Sequence, residues 1–221
     1  MALFVVATPI GNAQDFSQRA LETLMSAELI IGEELKVLRQ TLKSAGVNGP
    51  PLEQLNEHSD AKDIAHFVKE CRTKKVALVS DCGTPGFCDP GADLVAACAA
   101  AGIEVKPVPG PSSLMTLLSV CGFRVDQFVF YGFLPAKNEL RDKALADLRR
   151  ETRPVIVLET PYRSTKFVEE LAKTFPEQQC VLGFDLTSER ELVVRARGKD
   201  LNAKGPYQNR EPIALIMPLK K

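Results

Sequence analysis

The chain of 221 residues has no tryptophan and only two histidines, His58 and His66. Its six cysteines, Cys71, Cys82, Cys88, Cys98, Cys121 and Cys180, form no C-x-x-C pair, so zinc-type ligand spacing is missing and no metal is expected. Several of those cysteines sit inside apolar runs and read as reduced thiols, which sets a cytoplasmic expectation. Net charge is also lacking: 28 basic side chains cancel 28 acidic ones, leaving no global field to recruit a polyanion. Long hydrophobic runs are absent. Residues 2–7 are apolar but far too short for a membrane span, and they lack the basic start of a signal peptide, so no membrane partner is expected. Internal repeats and low-complexity tracts are missing as well. So are two familiar phosphate cradles, since no loop ends in Gly-Lys-Ser/Thr and none reads G-x-G-x-x-G.

What is present centres on residues 76–91, VALVSDCGTPGFCDPG. The unbroken apolar run 76–79 suits a strand buried on both faces of a parallel sheet. It breaks at Ser80 and Asp81 into a loop in which Gly83, Gly86 and Gly91 alternate with Pro85 and Pro90, giving a stiff turn with bare backbone. In an open α/β sheet, ligands lie beyond the carboxyl ends of the strands, so this loop is either a pocket floor or a plain turn. If it holds a nucleotide-like ligand, the phosphates are not the handle.

Upstream, residues 3–7 form a strand stopped by Thr8-Pro9-Ile10-Gly11-Asn12, and Asp15 or Ser17 caps a helix with Ala20, Leu21, Leu24 and Met25 as its apolar stripe. Residues 29–31 give a second strand ending in Gly32-Glu33-Glu34, and residues 35–45 a helix stopped by Gly46. Residues 52–60 read as a polar stretch with Asn56, Glu57 and His58. Asp60 caps the next helix. After the glycine loop come an alanine-rich helix over 92–101 and a strand over 103–108. This alternation predicts a parallel doubly wound sheet in a first domain, residues 1–113. Pro107 to Pro111 marks the boundary, and Ser112 or Ser113 opens a linker helix within 114–126, as a cap or as a grip on a polar ligand. Residues 127–221 show strands at 128–133, 155–158, 180–184, 192–197 and 213–217 with few crossover helices among the last, predicting a smaller mixed-sheet α/β domain. Residues 1–113 hold 10 basic and 14 acidic side chains against 18 and 14 in the remainder, so any nucleic acid is expected on the second half.

Five stretches in order, ATPIGN, SDCGTPGFCDPG, PVPGPSS, FVFYGFLP and ETPYR, resemble the tetrapyrrole (corrin/porphyrin) methylase superfamily, most closely its branch acting on small-subunit ribosomal RNA. The resemblance implies a two-domain homodimeric methyltransferase with S-adenosylmethionine in the cleft between the domains and a 2′-O-methylated cytidine as product. It implies cofactor contacts from Pro9, Ile10, Asp81, Gly83, Thr84, Ser112 and Ser113, closed over by Phe133, Leu134, Pro212 and Ile213. Candidates for the base that takes the ribose proton are Glu33, Glu57, His58, Asp81 and Glu159. Glu159 and Arg163 stand as substrate contacts, Arg163 either holding a phosphate or pairing with Glu159. The family's A-E-D-T-R-H is here Gly32-Glu33-Glu34-Leu35-Lys36-Val37, its H-E-H-N is Asn56-Glu57-His58-Ser59, and lysine after Leu186-Thr187 is Ser188. These departures cluster on the substrate side, so a tetrapyrrole or protein acceptor, or a cofactor-binding module without catalysis, stays beside RNA as an alternative.

Overall fold

Strands that read as continuous apolar runs need cover on both faces, and the first half of the chain supplies it with helices between every pair of strands. The computed structural model describes residues 1–202 and 205–219. It divides into two compact units, Met1–Ser112 and Ser113–Lys221.

In the first unit, β1 (Ala2–Val6), β2 (Leu29–Gly32), β3 (Leu52–Gln54), β4 (Lys75–Leu78) and β5 (Glu104–Val108) form one sheet in the order β3-β2-β4-β1-β5. Every pairing is parallel. α1 (Gln18–Met25) and α2 (Leu35–Ser44) cover one face, where Ala20, Leu24, Leu38 and Leu42 pack on Val6, Ile30 and Ala77. α3 (Ala61–Thr73) and α4 (Gly91–Ala100) cover the other, with Phe67, Cys71, Leu94 and Cys98 on Leu3, Ile31, Val76 and Leu78. Residues 76–79 are all buried, as their unbroken apolar run requires, and each fully buried Val or Leu there contributes roughly 1.5–3 kcal/mol.

The local signals act where expected. Ser17, not Asp15, caps α1 by accepting from Ala20 N–H, while Asp15 lies in a short 3-10 turn. Asp60 and Asp63 form a reciprocal capping box at α3. Gly46 ends α2 at φ +70°, a conformation that other residues rarely adopt. One reading is corrected: the polar stretch 52–60 begins with an edge strand, β3, whose half-exposed Leu52-Glu53-Gln54 pairs with β2 and lacks the apolar run of its neighbours.

The second unit contains α5 (Ser113–Val120), β6 (Val129–Phe133), α6 (Asn138–Leu148), β7 (Val155–Leu158), α7 (Ser164–Thr174), β8 (Gln179–Phe184), β9 (Leu192–Arg197) and β10 (Pro212–Ile216). The sheet order is β6-β7-β10-β8-β9. Only β6 and β7 pair in parallel, so the sheet is mixed, as the sequence predicts. α6 and α7 bury Ala144, Leu145, Leu148, Phe167, Val168 and Leu171 against one face. α5 packs against β10 and β8, on the face that alternation leaves to Val181, Ile213 and Leu215.

Candidate active site

Strand order alone selects one edge of the first sheet. The chain leaves β1 through α1 on one face and leaves β4 through α4 on the other, although β1 and β4 are neighbours. Such a switch point opens a crevice beyond the carboxyl ends of the two strands. The β1 loop (residues 7–12), the β4 loop (80–91) and the β5 loop (109–112) converge there.

These loops are locked together mainly through backbone. Thr8 is buried, its N–H donating to the Gly83 carbonyl at 2.8 Å and its hydroxyl to the Ser80 carbonyl at 3.1 Å. The Thr84 hydroxyl donates to the Pro111 carbonyl at 3.3 Å, tying the β4 loop to the β5 loop. Gly83 stands at φ +83°, and a Cβ there would touch Ile10 Cγ2 at 3.4 Å. Gly110 packs so closely on Ala7 that a Cβ would lie 3.0 Å from the alanine's own. Asp89, which sequence reasoning passed over, clamps the glycine loop by accepting from Gly86 N–H and Gly91 N–H, each at 2.9 Å or less. Its signal was an aspartate placed among turn glycines, the usual device for fixing a loop through side-chain to backbone bonds.

The structure brings Pro9, Ile10, Asp81, Gly83, Thr84 and Ser112 together at this edge. Asp81 accepts from Glu34 N–H at 3.1 Å, joining the β2 tip to the β4 loop. Burial raises the Asp81 carboxyl, the Glu34 N–H opposes that, and the Glu34 charge raises it again. Glu33 is also raised, by burial first and then by the charges of Asp81, Asp89 and Glu57. Glu57 and His58 follow β3 on the surface, 3.7 Å apart and both 84% exposed.

In the second unit, Phe133 at the end of β6 is 48% exposed, whereas Leu134, Pro212 and Ile213 are buried. Ser113 is half-buried at the first residue of α5. The two proposed substrate contacts fare differently. Glu159 is buried and its Oε2 lies 2.6 Å from Arg141 Nη2, a charge contact without hydrogen-bond alignment; Oε1 accepts from Thr160 N–H at 2.7 Å. Arg141 in turn donates from Nε to both oxygens of Glu170, at 2.9 and 2.8 Å. Glu159 is thus paired internally with Arg141, a buried arginine on α6, and not with Arg163. Arg163 instead lies over the Tyr162 ring, 5.3 Å from its centroid, with that tyrosine 70% exposed. Among the described residues no group of three or more His, Cys, Asp or Glu side chains could hold a metal, and no helix is long and apolar enough to cross a membrane.

A parallel sheet with a crevice at its switch point, followed by a mixed five-stranded unit, is the architecture of a class of methyltransferases. Solved structures of that class superpose on the chain: diphthine synthase at a TM-score of 0.76 and 13% identity, covering 98% of this chain and 89% of the other. Uroporphyrin-III C-methyl transferase from Thermus thermophilus, solved with S-adenyl homocysteine, gives 0.65 at 16% identity, covering 98% and 97%. The chain belongs to the family of Tetrapyrrole (Corrin/Porphyrin) Methylases, whose model matches residues 2–202, and it is a methyltransferase. Relatives called ribosomal RNA small subunit methyltransferase I include one from Neisseria meningitidis serogroup B, 36% identical over 98% of this chain and 76% of its own length. That from Thermotoga maritima is 34% identical over 97% and 95%. That from Synechocystis is 39% identical, and the chain spans 66% of its length.

Proposed function

We propose that this chain transfers a methyl group from S-adenosylmethionine to small-subunit ribosomal RNA, with a cytidine ribose 2′-hydroxyl as acceptor. The observation that carries the cofactor part is the locked wall of Thr8, Gly83, Thr84 and Pro111 at the β1/β4 switch point. The wall fits the ligand chemically. Its three loops contain no Lys or Arg, Asp81 lies within one of them and Glu33 sits at the β2 tip, so it offers no cation to a phosphate and suits a nucleoside carrying a sulfonium and an ammonium. Pro9, Ile10, Asp81, Gly83, Thr84 and Ser112 would hold it. From the second unit the family pattern adds Ser113, Phe133, Leu134, Pro212 and Ile213, of which Phe133 offers an exposed ring. The RNA part is supported by the relatives named above.

Bound there, the sulfonium supplies a methyl group already activated for displacement. The residues then have to place the attacking oxygen in line, exclude water and accept one proton. Glu33 suits the last task best among the acidic candidates. It sits at the β2 tip, half-buried, and its carboxyl is raised by burial and three neighbouring acids, which makes it a stronger proton acceptor than an exposed glutamate. Glu57 and His58 are open to solvent, and Asp81 spends an oxygen on the Glu34 N–H. The reading includes a homodimer in the cytoplasm, to be checked by light scattering and fractionation.

The test joins calorimetry with labelled-methyl transfer to small ribosomal subunits from cells lacking the protein. Saturable heat with S-adenosylmethionine and label in the RNA support the reading. Heat with label appearing only in tetrapyrrole or protein fractions moves the acceptor, and no heat overturns the cofactor assignment.

A further inference from the structure

The second unit carries a groove of about 870 Å³ between α6 and α7. We infer that this groove is a track for the phosphodiester backbone of RNA, an inference that rests on the RNA reading above. Its lining holds four cations, Arg149, Arg150, Lys166 and Lys173, with Asn138 and Thr174 as neutral donors. All four cations are exposed. Among the described residues no acidic partner is recorded for Arg149 or Lys173, and Arg150 reaches Asp147 only at 3.8 Å.

Two carboxylates, Asp142 and Glu170, also line the groove. Glu170 is shared: both oxygens accept from the buried Arg141 guanidinium, which also serves Glu159, and Oε1 lies 3.7 Å from Lys166. The lining thus sets four cations against two carboxylates. The outward field is therefore basic on a chain whose net charge is zero, and it falls in the half where basic residues are in excess.

The spacing favours a polyanion over a single phosphate. Lys166 and Lys173 lie seven residues apart on α7, about 10 Å along the helix at 1.5 Å per residue. One phosphate group cannot reach both lysines across that distance, whereas consecutive phosphates of one strand can. Apolar lining is limited to Leu145, Ala146 and aliphatic stems, too little for the anchor side chains of a protein partner.

The test is filter retention of small-subunit rRNA transcript across a salt series, using the full chain. Arg149→Glu/Lys173→Glu is expected to weaken retention about 10- to 100-fold near 0.1 M salt and to flatten the log–log salt slope by about 1.5, while heat with S-adenosylmethionine is unchanged. Both residues lie at helix carboxyl ends, where reversed charge also weakens the helix. Arg149→Gln/Lys173→Gln, which removes charge without reversing it, is therefore measured with its thermal midpoint and should show a smaller loss in the same direction. Arg197→Glu on β9 should leave the slope within about 0.5 of the original. Wild-type retention matched by both double variants, or a loss seen only where the midpoint falls, overturns the groove while leaving the RNA reading intact. No retention by the wild type overturns both.

Discussion

The two sheets solve the problem of polar ends in opposite ways. In the first, five parallel strands deliver every carboxyl end to one edge, so three loops meet and bond through main-chain groups and two threonine hydroxyls. In the second, three of the four pairings are antiparallel, strand ends alternate, and charged side chains take over. Arg141 bridges Glu159 and Glu170 at one place, and Asp185 gathers Arg210, Arg190 and the Glu211 N–H at another. Parallel topology lets backbone build a neutral wall suited to a nucleoside. Mixed topology leaves each unit of charge to be matched singly, and some of it stays free for a partner.

The largest expected effect breaks the second arrangement. Arg141→Ala strands two carboxylates, one fully buried, and should cost about 3–5 kcal/mol in urea unfolding. Arg141→Met combined with Glu159→Gln and Glu170→Gln should recover most of it, because removing all the charges together leaves none unpaired. An Arg141→Ala variant within 1 kcal/mol of the original, on the order of an exposed pair, would show that the cluster is solvated.

Next in size comes the acid at the first sheet's edge. Glu33→Gln should lower kcat about 100-fold, close to 2.7 kcal/mol of barrier, with little change in cofactor heat. Its carboxyl is raised in the folded state, so the stability it lends is present below the ordinary glutamate range and is lost as pH rises through the raised value. The variant should therefore be as stable as the original near neutrality, or more so. The acid limb of the rate profile should vanish with it, a readout that a purely structural role would leave in place.

Much of this could be read from residues alone, for identifiable reasons. β1, β2 and β4 from Val76 on are apolar because both faces are covered, and Gly46 marks a helix end by its own φ. β3 escaped because an edge strand beside polar loops needs neither an apolar run nor strict alternation. The turns at Pro9 and Gly83 were legible because glycine and proline mark rigid turns locally. Arg141 was not. Its partners lie 18 and 29 residues away, on β7's end and on α7, and only packing reveals that an arginine on an amphipathic helix faces inward.

A pair of glycines separates wall from scaffold. Gly83→Ala and Gly46→Ala each place a Cβ at positive φ, costing about 1–2 kcal/mol. Nothing lies within 4 Å of the Cβ at 46, while at 83 it would sit in ordinary contact with Ile10 and Pro111. Only Gly83→Ala should also weaken cofactor binding, by about tenfold or more, as relief of the strained φ shifts the loop that forms the wall. Equal loss of binding in both variants would mean that global stability, not the wall, controls affinity.

The smallest effect sharpens the contrast from the other side. Burial pushes the Asp185 carboxyl up, but bonds from Arg210, the Glu211 N–H and Arg190 outweigh it and hold it below its ordinary value. The stability it lends is therefore present above the ordinary aspartate pKa, about 3.9, and is lost as pH falls through the lowered value. Asp185→Asn should reduce the urea midpoint slightly at pH 7 and flatten its decline below about pH 4, whereas Glu33→Gln acts on the opposite side of the pH scale. Because Asp185 stands at φ +46°, where asparagine is well tolerated, backbone strain should not obscure the comparison. If the acid decline is unchanged in Asp185→Asn, the second unit's pH sensitivity resides elsewhere, and Glu151, which Arg153 lowers to about 2, is the group to remove next.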